Sequence, residues 1–68
     1  MLHGSLAVLK RDLQNEFRGY SVEVIDGSTP LVRIRNGKKV WSRYVYPEDL
    51  TDSGRFRLIA EALSDARL

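Results

Sequence analysis

Apolar residues recur at spacings of three and four near the start of the chain, of two through its middle, and of three and four again toward its end. Leu6, Leu9, Leu13 and Phe17 make one stripe, with Lys10, Arg11, Gln14 and Arg18 on other faces, which predicts an amphipathic helix. Ser5 is placed to cap that helix, and Gly19 to end it in a left-handed conformation. From Tyr20 the period is two: Tyr20, Val22 and Val24 alternate with Ser21, Glu23 and Ile25, a half-buried strand. The segment Asp26-Gly27-Ser28-Thr29-Pro30 reads as a turn, and Val32 and Ile34 alternate with Arg33 and Arg35 in a second strand. Asn36-Gly37 signals a hairpin, followed by a third strand over about Lys39–Tyr46, rich in β-branched and aromatic residues.

Pro47 stops that strand, and Glu48-Asp49-Leu50 reads as a turn or a short helical start. Thr51, Asp52 or Ser53 can cap a last helix, whose apolar face is expected to carry Phe56, Ile59, Ala60 and Leu63 and to end at Arg67. The order is helix, three strands, helix. A three-stranded meander must cover one face, and two amphipathic helices supply the apolar surface to cover it. The expected fold class is therefore α+β, with an α-β-β-β-α order and two helices packed on one face of a three-stranded antiparallel sheet. The expected core is Leu9, Leu13, Phe17, Val22, Val24, Val32, Ile34, Phe56, Ile59 and Leu63.

Length and composition narrow the function classes. The 68 residues allow a single domain, 1–68, and a chain this short buries only about 60% of the surface its unfolded form exposes. Without cysteine, no disulfide or thiolate metal site can add to packing. At 43% hydrophobic and 29% charged the balance is that of an ordinary globular domain. No apolar run approaches the ~20 residues that span a bilayer, and Lys10 and Arg11 cut short the only candidate signal segment. The expectation is a complete, cytoplasmic chain with no membrane partner.

Catalytic chemistry finds few parts. His3 is the one histidine and stands near the N-terminus, so a triad or a histidine metal cluster lacks its components. Glu48, Asp49 and Asp52 sit where capping and the positive end of a helix dipole explain them. Asp26-Gly27-Ser28 matches no phosphate-binding loop. No catalytic residue, metal ligand or cofactor is expected, and the protein reads as a binding module rather than an enzyme.

Charge is distributed unevenly. The net charge is +2, yet Leu31–Tyr46 holds five of the eleven basic residues and none of the nine acidic ones. The candidate binding residues are Arg33, Arg35, Lys38, Lys39, Trp41 and Arg43. Which of them share a face depends on the hairpin. A loop with an odd number of residues, such as Arg35-Asn36-Gly37 with a bulge, puts Lys39, Trp41 and Arg43 beside Arg33 and Arg35, and buries Val40, Ser42, Tyr44 and Tyr46. A two-residue loop at Asn36-Gly37 turns Lys39, Trp41, Arg43 and Val45 toward the helices instead. The odd loop is expected, because burying two cations is costly.

In that register the open face would combine cations that neutralise phosphates with an indole that stacks on a base. Tryptophan and arginine are equally the residues of protein–protein hot spots. The same residues also suit an open sheet face kept in solution by its charges. The first expectation is a module that binds nucleic acid through this basic, tryptophan-containing hairpin; the alternative partner is another protein, as for a compact inhibitor or accessory factor of the type phages and mobile elements encode. The oligomeric state is left open.

The element order is similar to that of double-stranded-RNA-binding domains. That family grips phosphates with a lysine cluster opening its last helix and reads a minor groove from a histidine-containing loop after its first strand. Here the corresponding stretches are Pro47-Glu48-Asp49-Leu50-Thr51-Asp52 and Asp26-Gly27-Ser28-Thr29-Pro30. The resemblance therefore implies a topology and carries over no functional residue.

Overall fold

The computed structural model describes residues 4–66; the readings made of His3 and Arg67 lie outside the described residues. Helix α1 (Gly4–Glu16) is followed by strands β1 (Ser21–Ile25), β2 (Leu31–Asn36) and β3 (Lys39–Tyr44), a 3₁₀ turn over Pro47–Leu50, and helix α2 (Asp52–Ala66). The strands form an antiparallel sheet in the order β1-β2-β3. Both helices cover one face of it, so the α+β architecture expected from the periodicity is the one observed. No helix among the described residues is long and apolar enough to cross a membrane.

The core is continuous between the layers. Leu6, Leu9 and Leu13 of α1, with Phe17 just beyond it, meet Val22, Val32, Ile34 and Val45 from the sheet side and Leu58, Ile59 and Ala62 of α2. Val24, Trp41, Leu50 and Leu63 pack partly buried against this cluster. Ser5 lies inside the first turn of α1 rather than before it. After α1, Gly19 has φ 87°, the left-handed conformation expected there, and the Tyr20 N–H donates to the Phe17 carbonyl at 3.1 Å.

One expected core residue is corrected. Phe56 is 70% exposed, while Leu58 is fully buried. Helix α2 turns Leu58, Ile59 and Ala62 inward, with half-buried Arg55 one turn before them and Ala66 one turn after, and Ala60 is exposed. The whole stripe is shifted around the axis from the one centred on Phe56. The cause is the α2 N-terminus. Thr51 caps it: its hydroxyl donates to the Glu48 carbonyl at 2.8 Å and accepts the Gly54 N–H at 3.1 Å. Gly54 is buried against the 3₁₀ turn so closely that a Cβ there would overlap the Glu48 carbonyl oxygen. With residue 54 fixed on the turn, the helical period sends residue 58 to the core and residue 56 outward.

Candidate functional site: the two faces of the hairpin

The β2–β3 hairpin decides where the basic residues go. Asn36 pairs with Lys39, so the loop is the two residues Gly37-Lys38. It is of even length, as in the register judged costly, but begins one residue later than Asn36-Gly37. Gly37 has φ 63° and no non-glycine residue among those described has positive φ, so only the first loop position needs left-handed backbone.

The expected clustering of Arg33, Arg35, Lys39, Trp41 and Arg43 on one face is therefore corrected. Ile34 pairs with Trp41 and Val32 with Arg43, which puts Trp41 and Arg43 on the helix side. Trp41 is half-buried there against the core. Arg33 and Arg35 remain on the open face, Lys38 occupies the turn, and Lys39 is exposed at the start of β3. Of the two cations expected to suffer in this register, only Arg43 passes beneath the helices.

Arg43 is tolerated there because acids meet it. One guanidinium nitrogen donates to Asp49 Oδ2 at 3.0 Å, another reaches Asp49 Oδ1 at 3.4 Å, and Nε lies 3.0 Å from Glu61 Oε2 of α2. Asp49 is only 5% exposed, and its Oδ2 also accepts the Tyr46 N–H at 2.8 Å. That bond and the Asp49 N–H donated to the Tyr46 carbonyl at 2.9 Å lock the 3₁₀ turn onto the strand end. The hydrogen bond with Asp49 raises the Arg43 pKa above its ordinary value. Partial burial opposes that shift, and the charges of Asp49 and Glu61 reinforce it. Every buried side-chain polar atom among the described residues has a partner. The cluster is a satisfied structural clamp joining β3, the 3₁₀ turn and α2. The signal for it was present in the sequence, in the carboxylate three residues into the turn opened by Pro47.

The opposite face of the sheet is laid out in three cross-strand rows. Ser21, Arg35 and Val40 form one; Glu23, Arg33 and Ser42 the next; Ile25, Leu31 and Tyr44 the third. No element among the described residues covers them. Val40 and Tyr44 are each more than half exposed, and Ile25 and Tyr46 nearly so. Val45 continues the ladder through its N–H, which donates to the Pro30 carbonyl at 2.8 Å, so Tyr46 follows Tyr44 on the outer side. Tyr44, Tyr46 and the loop residues Gly27, Ser28 and Thr29 enclose an open hollow of about 460 Å³. The candidate surface is thus apolar and aromatic at the β1–β2 loop end; in its middle Glu23 stands directly across from Arg33, and Arg35 lies beside Val40 toward the β2–β3 turn. The expected register buried Val40, Ser42, Tyr44 and Tyr46 and so missed all four as surface residues. Among the described residues, no group of three or more histidine, cysteine, aspartate and glutamate side chains is arranged to hold a metal ion.

The order of elements shared with double-stranded-RNA-binding domains remains a likeness of order alone. No family model, no curated protein and no solved structure matches this chain.

Proposed function

We propose that this protein is a non-catalytic, cytoplasmic binding module that docks another protein through the open face of its sheet. The partner surface would be apolar where it meets Ile25, Val40, Tyr44 and Tyr46, and acidic where it meets Arg33 and Arg35. The observation that carries this reading is the exposure of those four large apolar side chains on one uncovered face. Ile25, Tyr44 and Tyr46 gather at the β1–β2 loop end, with Val40 two rows away, and exposed apolar surface rimmed by polar groups is characteristic of protein-binding sites. Tyrosine and arginine are the residues that supply most binding energy in such sites.

Nucleic acid is the weaker reading for a physical reason. Its affinity rests on phosphate neutralisation, and the open face keeps two arginines, one facing a glutamate, while Arg43 is consumed by Asp49 and Glu61. The indole meant to stack on a base packs against the core.

Two measurements test the proposal. A photo-crosslinking amino acid at Ser42, in the middle of the open face, is expected to yield discrete protein adducts in the producing cell that survive nuclease treatment. Fluorescence anisotropy with labelled single-stranded and duplex oligonucleotides at about 50 mM salt, where phosphate contacts are strongest, is expected to show no saturable binding. Saturable oligonucleotide binding that is lost in Arg33→Glu/Arg35→Glu would overturn the protein reading in favour of nucleic acid.

A further inference from the structure

We propose that Asn36 is a site of self-modification: the backbone nitrogen of Gly37 attacks its side-chain amide, and the turn between β2 and β3 acquires a carboxylate. The inference is independent of what the open sheet face docks.

The reaction needs a nucleophile, an electrophile and room. The Gly37 nitrogen loses its proton to hydroxide and bonds to Asn36 Cγ; the Cγ–Nδ2 bond breaks, and Nδ2 leaves, reprotonated, as ammonia. The resulting five-membered succinimide holds the Gly37 nitrogen between the two former carbonyl carbons of Asn36. Water opens the ring at either carbon. Breaking the new N–Cγ bond gives aspartate at position 36. Breaking the original peptide bond gives isoaspartate, in which the main chain runs through Cβ and Cγ. By either route one amide and one water become one acid and one ammonia.

Four observations meet at this site. Asn36 and Gly37 are both exposed, so hydroxide and water reach them. Gly37 has no side chain, and even an added Cβ would meet nothing within 4 Å, so no neighbour crowds the attacking nitrogen. Asn36 and Lys39 form the last pair of the β2–β3 ladder. Such an end opens at little cost, which frees the dihedral angles the attack requires. Arg35, Lys38 and Lys39 flank the two residues, and positive charge stabilises the nitrogen anion that attacks.

Similar positions in the chain lack one of these parts. Asn15 lies within α1, where helical geometry fixes the next nitrogen and Glu16 supplies a side chain to crowd it. Asp26 also precedes a glycine, and its Oδ1 accepts the Gly27 N–H at 2.8 Å. Its carboxylate is ionised at neutral pH, however, and an ionised carboxylate is a poor electrophile.

The product changes the hairpin. Residues 31–46 contain no acid, so the new carboxylate is the first in that segment, and it stands across the ladder from Lys39. Aspartate keeps the loop length, since Asp-Gly suits a tight hairpin as Asn-Gly does. Isoaspartate lengthens the backbone by one carbon, in a hairpin whose loop length sets the register of β3. The turn thus carries a slow, one-way change of charge and, in the second product, of shape.

Ageing the folded full chain in mildly alkaline buffer and cleaving it after glutamate tests this. The peptide of residues 24–48 is expected to gain the mass of an NH2-to-OH exchange at Asn36, faster as hydroxide rises, while Asn15 stays unchanged. An isoaspartyl methyltransferase should label part of the aged protein and none of the fresh. The folded chain should react within about thirtyfold of the rate in urea, the cost of opening one terminal pair. Asn36→Gln, which would need a six-membered ring, should melt like the wild type and show no exchange at position 36. Gly37→Ala should slow the exchange in urea as well as in the folded chain, so that strain in the folded turn does not decide the result.

A folded chain that reacts more slowly than this limit overturns the inference, because the turn would then protect the residue. Exchange at Asn15 as fast as at Asn36 overturns it too, as does a Gly37→Ala chain that reacts as fast as the wild type in urea.

Discussion

Arg33 and Arg43 stand in adjacent rows of the same hairpin and live in opposite environments. Arg33 occupies the central strand on the open face, half-buried between Glu23 and Ser42 of the flanking strands. Arg43 occupies an outer strand on the covered face, opposite the fully buried Val32, where it is clamped by Asp49 and Glu61. What separates them is the supply of carboxylates rather than the charge itself. A cation beneath two helices is costly when alone and tolerable when a buried acid and a second acid complete its hydrogen bonds. An inward-pointing charge on an outer strand has a further consequence, because it discourages a foreign strand from adding there. The open face has no such obligation, so its residues are available to a partner.

The comparison depends on the turn that carries Asp49 to Arg43, and the largest expected effect comes from moving that turn. In Gly54→Ala the new methyl group would overlap the Glu48 carbonyl, so the 3₁₀ turn and α2 must separate. A loss of about 3 kcal/mol or more is expected in urea denaturation, at the upper end for overpacking. A loss within ~0.5 kcal/mol would mean that the turn adapts and the clamp does not depend on it. Next in size is the phase of α2, which brings Glu61 to Arg43. Leu58→Ala is expected to cost about 2–5 kcal/mol, and Phe56→Ala within ~0.5 kcal/mol. The reverse ranking would restore the helix face first read from the sequence and remove Glu61 from the clamp.

Third is the clamp itself. Asp49→Ala leaves Arg43 beneath the helices with Glu61 alone. Removing one partner of a fully buried pair costs 3–5 kcal/mol, and with Arg43 side-chain exposure at 25% an expected loss of about 2 kcal/mol remains. The pH dependence has a definite sign. Arg43 is held above its ordinary pKa, so its contribution is complete below that value and is lost only as pH rises past the folded one. The stability difference between wild type and Arg43→Met is therefore expected to be constant from about pH 6 to pH 10, above the range where carboxylates titrate. A difference that declines across that interval would show another titrating group in the clamp.

The element order, the end of α1 at Gly19 and the stop at Pro47 were legible because local chemistry fixes them. Periodicity marks helix and strand, and glycine and proline mark where each ends. The core stripe of α1 was legible for the same reason: Leu6, Leu9, Leu13 and Phe17 allow one phase only. Helix α2 offered two phases, since Phe56 and Leu58 are both apolar, and the choice was made by the contact of Gly54 with Glu48, which no helical pattern contains. The face of β3 turned on a single residue of loop length. Counting the buried cations favoured the odd loop because the acids that answer Arg43 come from elsewhere in the chain, Asp49 in the turn and Glu61 in α2. Charge burial judged strand by strand misses partners that arrive from a different element.

The smallest expected effect is the sharpest test of the contrast between the two arginines. A double-mutant cycle reports the coupling within a pair after the separate losses of each side chain are removed. For Arg33 and Glu23, directly opposite on a face open to water, solvent screening limits the coupling to about 0.2–1 kcal/mol, the range of cross-strand ion pairs. For Arg43 and Asp49, joined by two hydrogen bonds around a nearly inaccessible carboxylate, the coupling should exceed 1 kcal/mol. Raising the salt to about 1 M shortens the screening length to roughly 3 Å. That should erase the first coupling and leave most of the second. Equal couplings with equal salt dependence would mean that β3 carries Arg43 into water as freely as β2 carries Arg33. The two faces of the hairpin would then be alike, and the open face would lose its claim to be the one left for a partner.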